Sequence, residues 1–195
     1  MKERDEHERD LSRLIRLNNR NRLPRVRKID DPVLLGVHPA AAVGQDGARM
    51  RTPPFIVRDV SRELEETIRR VRFVLVVGES TAGKSRAVYE AMRALLPNHR
   101  LIEPIGREAI GIAVETVMAN PRCVLCLDDL ERFLGAGGLT GVAVDKVLAA
   151  SGGDRFLLAT MRAEEHAKYS GRSQTGLDAL DRESLHRGWE VLRLV

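Results

Sequence analysis

Gly78-Glu79-Ser80-Thr81-Ala82-Gly83-Lys84-Ser85 satisfies the pattern GxxxxGK[ST] at every fixed position. Glycines at both ends of the loop let the backbone curl until its N–H groups converge on an anion. A helix starting where the run ends adds the positive end of its dipole. Such a loop binds a nucleoside triphosphate: Lys84 bridges the β and γ phosphates, and the Ser85 hydroxyl, opening the helix, ligates magnesium. The eight residues, with Arg86 directly after them, form the expected nucleotide-binding segment.

A metal held by one serine needs a second anchor. Val124-Leu-Cys-Leu-Asp128-Asp129 supplies it, as an apolar strand ending in two carboxylates. Asp128 is expected to hold magnesium through water, and Asp129 to polarise the attacking water as general base, with Glu131 in reserve. A third apolar run, Arg155-Phe-Leu-Leu-Ala-Thr160-Met-Arg162, places polar groups just past its carboxyl end, where ligands of open α/β sheets bind. Thr160 and Arg162 are therefore expected at the γ-phosphate. Upstream, Thr52 to Val60 could fold apolar residues over the base, with Ile56 and Val57 as candidates.

These groups need a scaffold of strands ending where helices begin. Phe73-Val-Leu-Val-Val77 is a compact apolar run rich in β-branched residues, and it reads as the first core strand. Ala87, Val88, Ala91, Met92, Leu95 and Leu96 recur at helical spacing until Pro97. The loop thus lies between strand and helix, the context its chemistry requires. Before it, a helix capped by Asp59 or Ser61 runs to about Arg70. After it come a strand at 101–105, a helix at 108–118, a strand at 123–127, a helix at 142–150, a strand at 156–159 and a last strand at 189–195. This alternation predicts an α/β sandwich of three layers with a mainly parallel sheet.

The N-terminal 30 residues carry ten basic and six acidic groups, which accounts for the whole formal charge of +4. They read as a basic helix or tail, with Leu11, Leu14, Ile15 and Leu17 near helical spacing. Without aromatics to stack on bases or a groove-reading motif, nucleic acid is not an expected partner. Residues 31–54, rich in proline and glycine, read as a linker, and 55–195 as the catalytic core. The longest apolar runs are far shorter than the roughly 20 residues of a membrane-spanning helix. No secretory signal opens the chain, so the expected location is the cytoplasm. Cys123 and Cys126 sit in one strand at an odd offset, which sends their side chains to opposite faces; they read as buried thiols, not a redox pair or metal site.

Three segments in this order, Gly-Glu-Ser-Thr-Ala-Gly-Lys-Ser-Arg, Cys-Leu-Asp-Asp-Leu-Glu-Arg-Phe-Leu and Leu-Leu-Ala-Thr-Met-Arg, resemble the nucleotide-binding domain of STAND-class signalling ATPases, close to AAA+ proteins and similar to large actinobacterial ATP-binding proteins. The likeness covers about residues 52–195. It implies the P-loop NTPase fold, ATP with magnesium as ligands, and an ATP-gated switch that often oligomerises; hydrolysis is expected to be slow because no arginine finger can be assigned. It also implies a helical lid; the chain stops at the expected last strand, so a partner or second copy is expected to supply the lid or an arginine finger. A small-molecule P-loop kinase and a non-hydrolysing nucleotide-binding scaffold are the alternatives. A GTPase is disfavoured, because neither NKxD nor a DxxG after the magnesium strand occurs.

Overall fold

A computed structural model describes residues 14–17, 22–37, 55, 59–150, 154–170 and 190–194. Five strands form one sheet: β1 (Phe73–Gly78), β2 (Arg100–Ile102), β3 (Arg122–Leu127), β4 (Asp154–Arg162) and β5 (Glu190–Leu194), in the order β2-β3-β4-β1-β5. Every pair is parallel. Among the described residues the helices packed with them are α1 (Asp59–Arg70), α2 (Lys84–Leu95), α3 (Ile110–Ala119), α4 (Gly141–Ala149) and α5 (Ala163–Ser170). The fold is the expected α/β sandwich.

Strand side chains alternate between two separate cores, as a sheet covered on both faces requires. Phe73, Leu75 and Val77 of β1 join Cys123, Leu125 and Leu127 of β3 under Ala113 and Val117 of α3 and Val144 and Val147 of α4. Val74, Val76, Val124 and Cys126 face the other way, under Leu64 and Ile68 of α1 and Val88 and Met92 of α2. Cys123 and Cys126 thus lie in opposite cores, both free and buried. Among the described residues no helix is long and apolar enough to cross a membrane.

Residues expected to be tail and linker contribute directly to this body. Ile15 is buried in the first core, and Val26, Ile29 and Leu35 in the second. The segment runs antiparallel along β2, the strand that would otherwise be an open edge. Ile15 bridges Pro104 and Arg25 bridges Arg100. Leu101 N–H donates to Pro24 O at 2.8 Å, and Val26 N–H to His99 O at 3.0 Å. Apolar spacing in 11–17 suggested a helix; of the described residues in that stretch, Leu14 is helical and Ile15 lies in a bridge, where the chain passes into pairing with the exposed edge. The second expected strand is shorter than its apolar run, since Pro104 cannot donate to a ladder. The strand expected at 156–159 extends in both directions, and α5, hidden in a polar run, follows it directly.

Glu103 follows β2, its side chain only 12% exposed and paired with Arg16 at 3.0 Å. Burial pushes its carboxyl from the ordinary 4.5 to about 7, with Arg16 pulling down and Asp128 pushing up. The folded state therefore holds a proton that the unfolded chain releases earlier. This contribution to stability is full below about pH 4.5 and is lost as pH rises through about 7, amounting to about 3 kcal/mol. Glu103→Gln should match the wild type in thermal melting at pH 4 and exceed it at pH 8, without metal. Equal melting of the two proteins at both pH values would show that Glu103 does not titrate in this way.

Candidate functional site

β1 ends at Gly78, and the chain turns through the glycine loop into α2. Two residues of the loop occupy the left-handed region: Thr81 at φ 66° and Gly83 at φ 86°. For β-branched Thr81 this is a strained conformation, of the kind that persists where the surroundings enforce a functional backbone shape. Gly83 is also the N-cap of α2 and provides no side-chain acceptor. By contrast, Thr140 caps α4 by accepting from Ala143 N–H at 3.2 Å. The N–H groups opening α2 are therefore left for an external acceptor, at the positive end of a helix of 12 residues.

Lys84 is 7% exposed, and its ammonium donates to Gly78 O at 3.1 Å and Glu79 O at 2.8 Å. Two of its three N–H donors thus brace the loop from inside, and the third remains. The strand order brings the distant groups together. β4 is inserted between β1 and β3, so its carboxyl end lies between the glycine loop and the carboxylates that follow β3. Ser85 Oγ donates to Asp128 Oδ1 at 2.6 Å, and Thr160 Oγ1 donates to the same oxygen at 2.7 Å. Thr160 in turn accepts the Asp129 N–H at 2.9 Å. Asp129 is left-handed, at φ 55°.

Burial pushes the Asp128 carboxyl above its ordinary value, against the downward pull of Ser85 and Thr160; adjacent Asp129 pushes it up and Lys84 pulls it down. A carboxylate so destabilised, with a hydroxyl on the same oxygen, is suited to a hard cation that takes oxygen ligands. A cavity of about 690 Å³ opens at these groups, at the carboxyl end of the sheet. Ser80 to Ala87, Asp128, Asp129 and Arg162 line it.

Arg162 reaches the cavity already engaged. Its Nε is 2.8 Å from Glu131, and its other nitrogens are 3.1 Å from Glu164 and 3.7 Å from Glu165. Glu131, the reserve base, is 8% exposed and is bound to Arg162 at one oxygen while the other is buried without a partner. Thr160 is 2% exposed and lies beneath Asp128 and Asp129, so it acts on the cavity through those two residues. Ile56 and Val57 lie outside the described residues, but neighbouring Phe55 is a lining residue, 5.7 Å from the Arg86 guanidinium. Sequence reasoning missed Gly36, Val37, Ser61 and Leu194, which also line the cavity. Gly36 and Val37 were hidden in a segment whose proline and glycine content reads as a linker.

No family model matches the chain, and no curated protein does. Among solved structures, a Pif1 helicase complex, with two coordinating helicases unwinding forked double-stranded DNA, is similar over 72% of this chain at 11% identity and a TM-score of 0.43. This chain spans 44% of that one's length. So distant a likeness lends nothing to the expectation that nucleic acid is not a partner.

Thr160→Val keeps the side-chain shape but removes the donor to Asp128 and strands the Asp129 N–H. The expected loss is about 1–3 kcal/mol of stability in urea denaturation without nucleotide, largely restored in Thr160→Ser. A loss below about 0.5 kcal/mol would mean that this hydroxyl does not hold the two aspartates together.

Proposed function

We propose that this chain binds ATP with magnesium and hydrolyses it slowly, as a STAND- or AAA+-like regulatory module. The observation carrying this reading is the convergence of Ser85, Asp128 and Thr160 beside a loop whose helix lacks a side-chain cap. Ser85 Oγ and Asp128 would hold the magnesium, which supplies charge neutralisation at the phosphates. The loop N–H groups and the remaining Lys84 donor orient the triphosphate. Asp129, lining the cavity beside Asp128, is the proposed general base. Val37, Phe55 and Leu194 offer apolar lining for the base.

In this reading hydrolysis is slow because no cavity arginine is unengaged. Of the described residues that line it, Arg86 is paired with Glu90 at 2.7 Å and Arg162 with Glu131. Efficient turnover would take Arg162 away from Glu131 to the γ-phosphate, or bring an arginine finger and lid from a protein partner or second copy. The saturation of Arg162 also favours a second reading, a scaffold that binds nucleotide without hydrolysing it. We further place the protein in the cytoplasm, where ATP and magnesium are plentiful and thiols such as Cys123 and Cys126 stay reduced. The core within 55–195 is part of the same proposal, with 14–37 docked on it as an integral strap.

Lys84→Ala should weaken binding of a fluorescent ATP analogue by about a hundredfold or more, since it removes a charged donor to phosphate and two internal braces. Affinity unchanged in that variant would sink the nucleotide reading. Asp129→Asn should bind the analogue as the wild type does while phosphate release falls at least about tenfold. Wild-type release would instead give the base role to Glu131, and no release from either protein would support the scaffold.

A further inference from the structure

The segment before the core ends in a tight turn over the site. Asp31 accepts the Val33 N–H at 3.0 Å, opening a short 3-10 helix at Pro32–Leu35. Gly36 closes it in the left-handed region, at φ 75° and ψ 5°, with its N–H on Val33 O at 3.3 Å. The turn is fixed from beneath by buried Leu35 and, further back, by Tyr89, whose hydroxyl donates to Ile29 O at 2.7 Å. This places Gly36 directly against Asp128. A Cβ at position 36 would fall on Asp128 Oδ2 and within 2.7 Å of its Cγ. The carboxylate cannot swing aside freely, because Oδ1 is held by both Ser85 and Thr160. A side chain is therefore excluded twice, by the backbone angle and by the occupied space.

We propose that Gly36 is a positioning residue of the magnesium site: the Pro32–Val37 turn seats its bare Cα against Asp128 Oδ2 and so keeps Oδ1 turned toward Ser85. The inference rests on the nucleotide–magnesium reading and adds to it that the strap is part of the site. Docking of the strap and binding of the metal are then linked. Anything that lifts the strap from β2 and α2 frees the carboxylate to rotate, and a metal bound at Asp128 favours the docked strap.

The test compares full-length wild type, Gly36→Ala and Gly137→Ala, titrated with a fluorescent ATP analogue in magnesium and in EDTA. Gly137 has a similar left-handed angle, φ 77°, with nothing within 4 Å of an added Cβ, so its variant carries the backbone strain without a collision. Taken as the ratio of each protein's own affinities in magnesium and in EDTA, Gly36→Ala should lose at least about tenfold of the tightening caused by magnesium, while Gly137→Ala keeps that tightening. Magnesium tightening within about twofold of wild type in Gly36→Ala would overturn the proposal.

A melting cycle without nucleotide checks the contact separately. Gly36→Ala should lower Tm by about 5 °C in the wild-type background and by half of that or less in Asp128→Ala, where the colliding carboxylate is gone. Equal drops in both backgrounds would overturn it. Should Gly36→Ala alone fail to fold, rescue by Asp128→Ala supports the contact, and failure of rescue refutes it. A wild type that magnesium does not tighten would remove the nucleotide reading and the metal role together, whereas the cycle would still report on the contact.

Discussion

The arrangement depends on one buried carboxylate. Asp128 leaves β3 in an environment that disfavours its charge, and it is tolerated there because two hydroxyls from other elements point at the same oxygen. Ser85 is fixed by the first turn of α2, Thr160 by the carboxyl end of β4, and Gly36 by a turn from far upstream. Four separate segments thus meet at a group that water would otherwise solvate. The low local dielectric strengthens each contact and makes each unsatisfied polar atom costly, so the segments are held to one geometry.

Insertion of β4 between β1 and β3 gives that meeting its reach. Had the glycine-loop strand and the acidic strand been neighbours, the carboxylate would face Ser85 with no hydroxyl beneath it. With β4 between them, Thr160 donates to Asp128 and accepts from the Asp129 backbone, so one residue ties both aspartates into the sheet. Asp129 can then occupy its left-handed conformation and line the cavity. The same strand ends in Arg162, which three carboxylates hold at the cavity wall. The guanidinium that could meet phosphate is therefore already satisfied by carboxylates, and a nucleotide would have to compete for it.

The strap completes the body at its weakest margin. β2 is the shortest strand, and one of its edges would expose unpaired backbone groups; residues 14–17 and 24–26 cover it. The strap also supplies buried side chains to both cores, Ile15 to one and Val26, Ile29 and Leu35 to the other. Covering an edge and reaching the site are thereby the work of one segment, which connects the stability of the sheet to the position of Asp128.

Local patterns are legible in the chain because their causes are local. The glycine loop follows from the backbone freedom of glycine, the strands from runs of β-branched residues, and α2 from apolar residues at helical spacing stopped by Pro97. The opposite burial of Cys123 and Cys126 follows from the pleat alone. The sequence by itself therefore determined the glycine loop between strand and helix, the acidic strand end and the α/β class. Only the tertiary structure decided the strand order, the pairing of Arg162 with Glu131, the edge role of residues 14–26 and the placing of Gly36 on Asp128. Each of these joins residues far apart in the chain, and such contacts arise from the burial of shared surface, which no local propensity encodes.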